Sequence, residues 1–449
     1  MRRLVCAILF ALGCGSSRAE PGSTTARRRP AATDRPNILF LISDDHSSGD
    51  LGAMGNRTIR TPALDRLAAE GVLFNSAYTT SPQCSPSRAA IATGRSPHAT
   101  GTSRLHATLR PEHDTVIDML KRAGYHVAAF RKVHLGEPFQ SHWDRYAGDE
   151  VPFETFFRQR PKGRPFFLWI GFHDPHRPYE GHPPAPAGIQ VPAFLPDTPA
   201  VRGDLADYQA EIERMDREVA EVLELLEREG LTRSTLVVFA GDNGMPFPGA
   251  KGSLYDGGVR VPLLARWPGR ISPGAVRDDA VSLLDLAPTW LEAAGLPADA
   301  RMEGQSLLAP PAGERTVFFE RNWHDNLDFI RGVRGGRYLL LHNFRPEIAY
   351  RPTDDLAGSP SWKAIESLHG QKKLAPALER RYFDAPRPAV ELYDLETDPL
   401  RDLAADPAEA PRVRALEQAL SDWMVATNDF LPPPIQPKRG EHGEAVHPH

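Results

Sequence analysis

The stretch Asn37-Ile38-Leu39-Phe40-Leu41-Ile42, closed by Ser43-Asp44-Asp45, decides the fold. An apolar run with no polar alternation marks a strand buried on both faces, as in a parallel sheet covered by helices. Working outward, Thr61-Pro62 opens a helix with a cap residue and a proline in the first turn, and Gly71 closes it. A helix is predicted over 116–123 and strands over 125–130 and 166–172. Ile212, Met215, Val219, Val222 and Leu226 recur at spacings of three and four, one face of a long helix that Gly230 stops before a strand over 235–240. This alternation predicts an α/β fold, a large and mainly parallel sheet sandwiched by helices, over residues 36–330. From about 331 the pattern changes. A strand over 338–341 and an amphipathic helix carrying Val413, Leu416, Leu420 and Trp423 predict a smaller C-terminal α+β subdomain over 331–431. Residues 432–449 read as a loose tail.

With 449 residues, the chain is long enough for a large core and a second unit. It carries 53 basic and 58 acidic residues, a net charge of −5. That balance gives no global basic field and excludes nucleic acid as the expected partner, so an anionic substrate must be met by a local cluster. Met1-Arg2-Arg3 and the short apolar run over 4–12 read as an export signal, too short to cross a bilayer. Gly13-Cys14 resembles a bacterial lipobox, so residues 1–14 are expected to be a signal peptide with a lipid site at Cys14. Residues 15–35, rich in Ser, Thr, Pro and Arg, read as a disordered tether. The expected location is periplasmic or cell-surface, with membrane contact only through the lipid. Of three cysteines, Cys6, Cys14 and Cys84, only Cys84 then remains as a thiol with a chemical role to fill.

Ligand sites in open parallel sheets lie beyond the carboxyl ends of the strands. Four predicted strands release polar residues there: Asp44 and Asp45; Lys132 and His134; His173, Asp174 and His176; Asp242 and Asn243. A lone Asp-Asn-Gly is more often a turn, but four coincidences at one edge are not explained by turns. Asp44, Asp45, Asp242 and Asn243 offer oxygen only, which favours calcium, or magnesium, over zinc. Neither acidic pair has a basic neighbour in sequence, so a cation is expected to offset their repulsion.

Cys84-Ser85-Pro86-Ser87-Arg88 precedes Ala89-Ala90-Ile91-Ala92-Thr93-Gly94-Arg95. Pro86 suits the first turn of a helix, whose free amides and dipole favour an anion near Cys84. This segment resembles the signature of the sulfatase family, read by the formylglycine-generating enzyme. The resemblance runs from about Pro36 to Asn428. Lys132-Val133-His134 resembles the family's Lys-x-His element, with Val133 where many members carry Trp. Gly241-Asp242-Asn243-Gly244 resembles its second metal segment, and Lys251 ahead of Gly257-Gly258-Val259-Arg260 its second sulfate-binding lysine. Glu391-Leu392-Tyr393-Asp394-Leu395 resembles the start of its C-terminal subdomain. The stretches 172–177, 191–199 and 242–248 are similar to the sulfamidase branch, which acts on N-sulfated glucosamine.

The resemblance implies an alkaline-phosphatase-like fold and hydrolysis of sulfate from a sulfated saccharide. It implies a formylglycine at Cys84 and a cation, Ca2+ or else Mg2+, held by Asp44, Asp45, residue 84, Asp242 and Asn243. Arg88, Lys132 and Lys251 would hold charge on the nucleophile and the sulfate, with His134 and His176 moving protons. His173, His324 and Asp325 are expected substrate contacts, and His98 and His106 candidates for lining the sugar site. Two alternatives stay open: an O-sulfatase or phosphonate or phosphate monoester hydrolase on the same scaffold, and a glycan-binding lipoprotein on a dead one.

Overall fold

A computed structural model describes residues 35–430 apart from 182 and 312. The export signal, Cys14 and the tail expected over 432–449 lie outside the described residues. The N-terminal part contributes β1 (Asn37–Ser43), β2 (Val72–Phe74), β3 (Ala77–Tyr78), β4 (His126–Arg131), β5 (Arg145–Ala147), β6 (Phe166–Gly171), β7 (Thr235–Gly241), β8 (Leu263–Arg266), β9 (Ala275–Arg277) and β10 (Val281–Ser282). Eight of these form one sheet in the order β5-β4-β6-β1-β7-β8-β2-β9. Only β8 runs against the others. The small pair β3 and β10 lies apart.

β1 is buried throughout because both of its faces carry helices. Leu39 and Leu41 enter one core with Phe130, Leu168 and Phe239, under Ile212, Met215 and Val219 of the helix Pro199–Arg228. Ile38, Phe40 and Ile42 enter the other with Trp169 and Trp290, whose rings each lie 4.8 Å from Phe40. A strand apolar on both faces cannot fix its register by alternation, since a one-residue slip still buries apolar groups. Polar ends do it here. Asn37 accepts from the Phe166 N–H at 3.2 Å and donates to Thr235 Oγ1 at 3.4 Å, fastening both neighbouring strands at the entry. The carboxylates that follow Ser43 fix the exit.

A second sheet joins β11 (Thr316–Trp323), β12 (Leu327–Gly335), β13 (Tyr338–Asn343) and β14 (Val390–Asp394), antiparallel throughout. Phe319, Ile330, Leu339 and Leu341 pack toward Tyr78, Leu254 and Val259 of the N-terminal part. Val333, Leu340 and Leu392 pack toward Leu420, Val413, Leu416 and Trp423 of the helix Ala410–Ala426. The boundary expected at 331 needs correction. It cuts β12, and the sheet already begins at Thr316. The apolar start of β11 looks like another parallel strand, and only its antiparallel partner reveals its sheet.

Between β13 and β14 the chain makes a helical excursion not expected from sequence: Asp354–Ala357, Pro360–Gly370 and Pro376–Phe383. Its Trp362, Ile365, Leu378 and Tyr382 join the core that holds the helix Pro199–Arg228. The Tyr382 hydroxyl donates to the carbonyls of Phe194 and Pro248. The excursion thus starts and ends in the C-terminal sheet but is anchored on the N-terminal part. Among the described residues, no helix is long and apolar enough to cross a membrane.

Candidate active site

The strands β4, β6, β1 and β7 are consecutive neighbours. Their carboxyl ends therefore deliver Lys132 and His134, the 173–176 loop, Asp44 and Asp45, and Asp242 and Asn243 to one edge. Backbone bonds stitch these exits together: Asp44 N–H to Asp174 O at 3.0 Å and Asp242 N–H to Ser43 O at 3.2 Å. Among the described residues, four of the six non-glycine residues with positive φ sit at this edge: Asp45, His106, Arg131 and His134. Such strain persists only where the surroundings impose it, and it clusters at functional sites. Gly171 at the end of β6 shows how tight the edge is, since a Cβ there would lie 1.7 Å from Lys132 O.

The acidic residues converge. Asp44, Asp45 and Asp242 each offer an oxygen, all within 4.8 Å of one another. The expectation that they lack basic partners is corrected by the fold, which brings three cations from distant segments. Arg88, on the helix Cys84–Thr93, donates from Nε to Asp242 Oδ2 at 2.8 Å and from Nη1 to Lys132 O at 2.6 Å. Its Nη2 lies 3.6 Å from Asp44 Oδ1. Lys132 pairs with Asp44. Lys251 donates to Asp45 Oδ2 at 2.7 Å. Burial opposes charge on Asp44, but Lys132 and Arg88 hold its carboxyl well below the usual range. Burial pushes Asp242 up to about 7 even against Arg88.

Three carboxylates thus consume three cations, and no net positive charge remains for an anionic substrate. A divalent cation would supply it. The donor set fits one. Asn243 Oδ1 and Asp44 Oδ1 are buried without a hydrogen-bond partner, and the four side chains offer the hard oxygens that calcium or magnesium takes.

Cys84 is the first residue of its helix, and its Sγ lies 3.9 Å from Asp45 Oδ1. Burial, and then the Asp44 carboxylate, push its thiol well above the ordinary value. An unconverted Cys84 is therefore protonated and a poor nucleophile at neutral pH.

The histidines divide. His134 faces His106, with Nε2 and Nδ1 2.8 Å apart. Burial, then Lys132 and Arg88, push the His134 imidazole down to about 3, so it is a neutral base. His176 Nε2 lies 3.1 Å from Lys251 Nζ and 3.7 Å from Asp45 Oδ2. His173, expected to contact substrate, turns outward instead and pairs with Asp149 at 3.2 Å, 55% exposed. The Asp149 carboxylate that holds it there also pairs with Arg131 at 3.3 Å. His324 Nδ1 lies 2.7 Å from Asp325 Oδ2, in the turn between β11 and β12. His324 Nε2 is buried without a partner.

His98 is not a free rim residue: its backbone N–H donates to Glu320 Oε1 at 2.9 Å, and Nδ1 lies 3.2 Å from Oε2. Burial disfavours charge on both, but each partner outweighs it, raising His98 above 6.5 and lowering Glu320 below 4.5. The His98 contribution is complete below pH 6.5 and lost as pH rises through its raised folded value. That of Glu320 is present above pH 4.5 and lost as pH falls. Stability from the pair is therefore greatest between these limits. In His98→Asn, the decline of the thermal midpoint above pH 6.5 should flatten relative to wild type. Parallel curves for the two proteins would refute the linkage.

Sequence reasoning missed Asp355. Its Oδ2 accepts from Lys251 Nζ at 2.6 Å and lies 3.8 Å from His176 Nε2. It comes from the helical excursion, where Thr353-Asp354-Asp355 reads as an ordinary helix start.

A buried nucleophile position at a helix N-terminus, set against an oxygen-donor cluster and ringed by fixed cations, defines a hydrolase for tetrahedral oxyanion esters or amides on an alkaline-phosphatase-like fold. The sulfatase family profile matches residues 36–158 and 139–296, and the chain belongs to the sulfatase family. It is a sulfuric ester or sulfamate hydrolase by class. A second profile, N-sulphoglucosamine sulphohydrolase C-terminal, matches residues 250–376. The chain is 31% identical to human N-sulphoglucosamine sulphohydrolase, over 94% of this chain and 93% of that protein. It is 28% identical to an ulvan-active sulfatase of Formosa agariphila, over 88% and 76% of the two chains. Its fold is like that of a structure solved with D-glucosamine-2-N,6-O-disulfate (TM-score 0.69, 18% identity, 88% of this chain and 98% of that one). It is also like a phosphonate monoester hydrolase from Silicibacter pomeroyi (TM-score 0.68, 18% identity, 88% and 96%).

Proposed function

We propose that this protein removes the N-sulfate of glucosamine in heparan-type saccharides, after a formylglycine-generating enzyme has converted Cys84, and with calcium as the cation. The observation that carries this reading is the Cys84 side chain held against Asp45 beside Lys251, within the cluster of Asp44, Asp45 and Asp242. The choice of N-sulfated glucosamine is supported by the near full-length similarity to the human N-sulphoglucosamine sulphohydrolase and by the C-terminal profile of that name. Export and lipidation at Cys14 belong to the same proposal and are supported by the amino-terminal sequence.

Asp44, Asp45, Asp242 and Asn243 would hold the cation, which supplies positive charge that acidifies a hydroxyl and polarises sulfate oxygens. Residue 84 would carry the formylglycine, whose hydrate would supply a hydroxyl nucleophile for sulfur and a second hydroxyl for regeneration. Lys132 and Lys251 bind sulfate oxygens and offset the charge that grows on them in the transition state. Arg88, locked between Asp242 and the Lys132 carbonyl, fixes the cluster that faces residue 84. His176 donates a proton to the leaving nitrogen. His134, neutral at working pH, removes a proton from the second hydroxyl, and His106 orients it.

Calcium-loaded protein bearing formylglycine should release sulfate from N-sulfoglucosamine faster than from glucosamine 6-sulfate, and should not turn over an aryl phosphonate. Preference for the phosphonate would overturn the reading, and preference for the O-sulfate would overturn its finer half. Chelation should abolish turnover and lower the thermal midpoint, and calcium should restore both. A cation at a hundred times its Kd stabilises the native state by about 2.7 kcal/mol. A midpoint indifferent to calcium would remove that cation from the site.

A further inference from the structure

Lys251 is almost fully buried, with a side chain 2% exposed, and it already has a partner in Asp45. Asp355 is a second carboxylate on the same ammonium, with a side chain 23% exposed. It is held firmly. Thr353 Oγ1 donates to Asp355 Oδ1 at 2.5 Å, and the next residue, Leu356, is fully buried. The Asp354 N–H donates to Asp325 Oδ2 at 2.7 Å, which ties this short helix to the turn between β11 and β12. Asp325 is in turn paired with His324. The outer side of the site is thus built by the C-terminal sheet and its excursion, not by the strands that carry the nucleophile.

Position gives this carboxylate a task. Polar contacts lead from Cys84 to Asp45, then Lys251, then Asp355. Asp355 therefore lies two links beyond the carboxylate that faces residue 84. His176 Nε2 stands between Asp45 and Asp355, at 3.7 and 3.8 Å. His176 is the proton donor proposed for the leaving atom, and one of its ring nitrogens lies within 4.8 Å of Cys84 Sγ, so Asp355 beside it is within reach of the same atom. A carboxylate offers about four lone-pair sites. Asp355 uses two, on Lys251 and Thr353, and its side chain remains 23% exposed beside His176.

We propose that Asp355 accepts the N–H of the leaving nitrogen and thereby favours sulfamates over sulfate esters. The inference rests on the function proposed above. A sulfamate nitrogen carries a hydrogen for Asp355 to accept, whereas the bridging oxygen of an ester carries only lone pairs, which a carboxylate repels. The proton from His176 reaches the nitrogen first, and as the S–N bond then breaks its electron pair stays on nitrogen, so the leaving group departs as a neutral amine. The positive charge that nitrogen carries between proton transfer and S–N cleavage strengthens its bond to Asp355, because hydrogen bonds to ionised groups are roughly twice as strong as neutral ones. A site built to accept a donor discriminates strongly against an analogue that lacks it.

The test compares kcat/KM on N-sulfoglucosamine and on an activated aryl sulfate for wild type, Asp355→Ala and Asp355→Asn, all calcium-loaded and bearing formylglycine. Asp355→Ala should lower the N-sulfate to ester ratio by roughly 10- to 100-fold. Asp355→Asn keeps a neutral acceptor and should fall between the two. Equal losses on both substrates would mean that Asp355 only supports Lys251, and would overturn the inference. If Asp355→Ala does not fold, the ratio for Asp355→Asn decides alone, and an unchanged ratio overturns it. A wild-type protein inactive on N-sulfoglucosamine overturns the proposed function itself, and a wild-type protein active there with variants of unchanged selectivity overturns only this inference.

Discussion

Cys84→Ser keeps its fold and its cation and loses turnover by at least about 10⁴-fold, the scale seen when a nucleophile is removed from an otherwise intact site. The substitution is small. The side chain is buried in the first turn of a helix, makes one long contact to Asp45, and leaves the carboxylates and cations around it in place. The loss is chemical. A serine hydroxyl can take the sulfo group once, but the resulting ester has no second hydroxyl on the same carbon to expel it. A single stoichiometric release of amine, followed by arrest, is therefore expected, and intact-protein mass spectrometry should find one added sulfo group. Sustained turnover by the serine variant would refute the role given to residue 84. Calcium affinity should match wild type to within the contribution of one ligand.

Arg88→Met should have the largest effect on stability. Methionine fills similar volume but removes a guanidinium that is fully buried and bonded to Asp242, to the Lys132 carbonyl and, at longer range, to Asp44. Breaking a buried ion pair from one side leaves an uncompensated charge and costs about 3–5 kcal/mol. Denaturant unfolding of metal-free protein measures this. Calcium should recover part of the loss, since a cation at the cluster replaces some of the missing positive charge. A variant within about 0.5 kcal/mol of wild type, the range of an inert surface change, would show that the cluster does not depend on Arg88.

The residues that follow the buried strands were legible because each stands directly after an apolar run whose direction the α/β pattern fixes. Asp44, Asp45, Lys132, His134, His176, Asp242 and Asn243 all reach the expected edge, and Cys84 was legible from its own neighbourhood. What was hidden depends on long-range pairing. Nothing local in Leu263–Arg266 says that β8 runs against its neighbours. Nothing in the apolar start of β11 says that it pairs with β12. Arg88, Lys132 and Lys251 were legible as ligands for an anion, but their pairing with the carboxylates was not, because each partner comes from another strand end. The outward turn of His173 depends on backbone geometry in its loop. Asp355 left no signal, since it meets Lys251 across 104 residues of sequence and its surroundings look like any helix start.

The excursion between β13 and β14 leaves and re-enters through paired strands, where His342 stands opposite Val390. Its length can change without shifting the pairing of either strand, as hairpin connections tolerate insertion. Yet its first helix, Asp354–Ala357, supplies the Asp355 carboxylate to the outer side of the site. Attack on sulfur and choice of leaving group are thus housed on different pieces of chain, joined through Lys251 and Asp355. Grafting another excursion between residues 343 and 390 would change the leaving-group side of the site, provided that the graft keeps a carboxylate on Lys251 and the apolar anchors that Trp362, Ile365, Leu378 and Tyr382 supply.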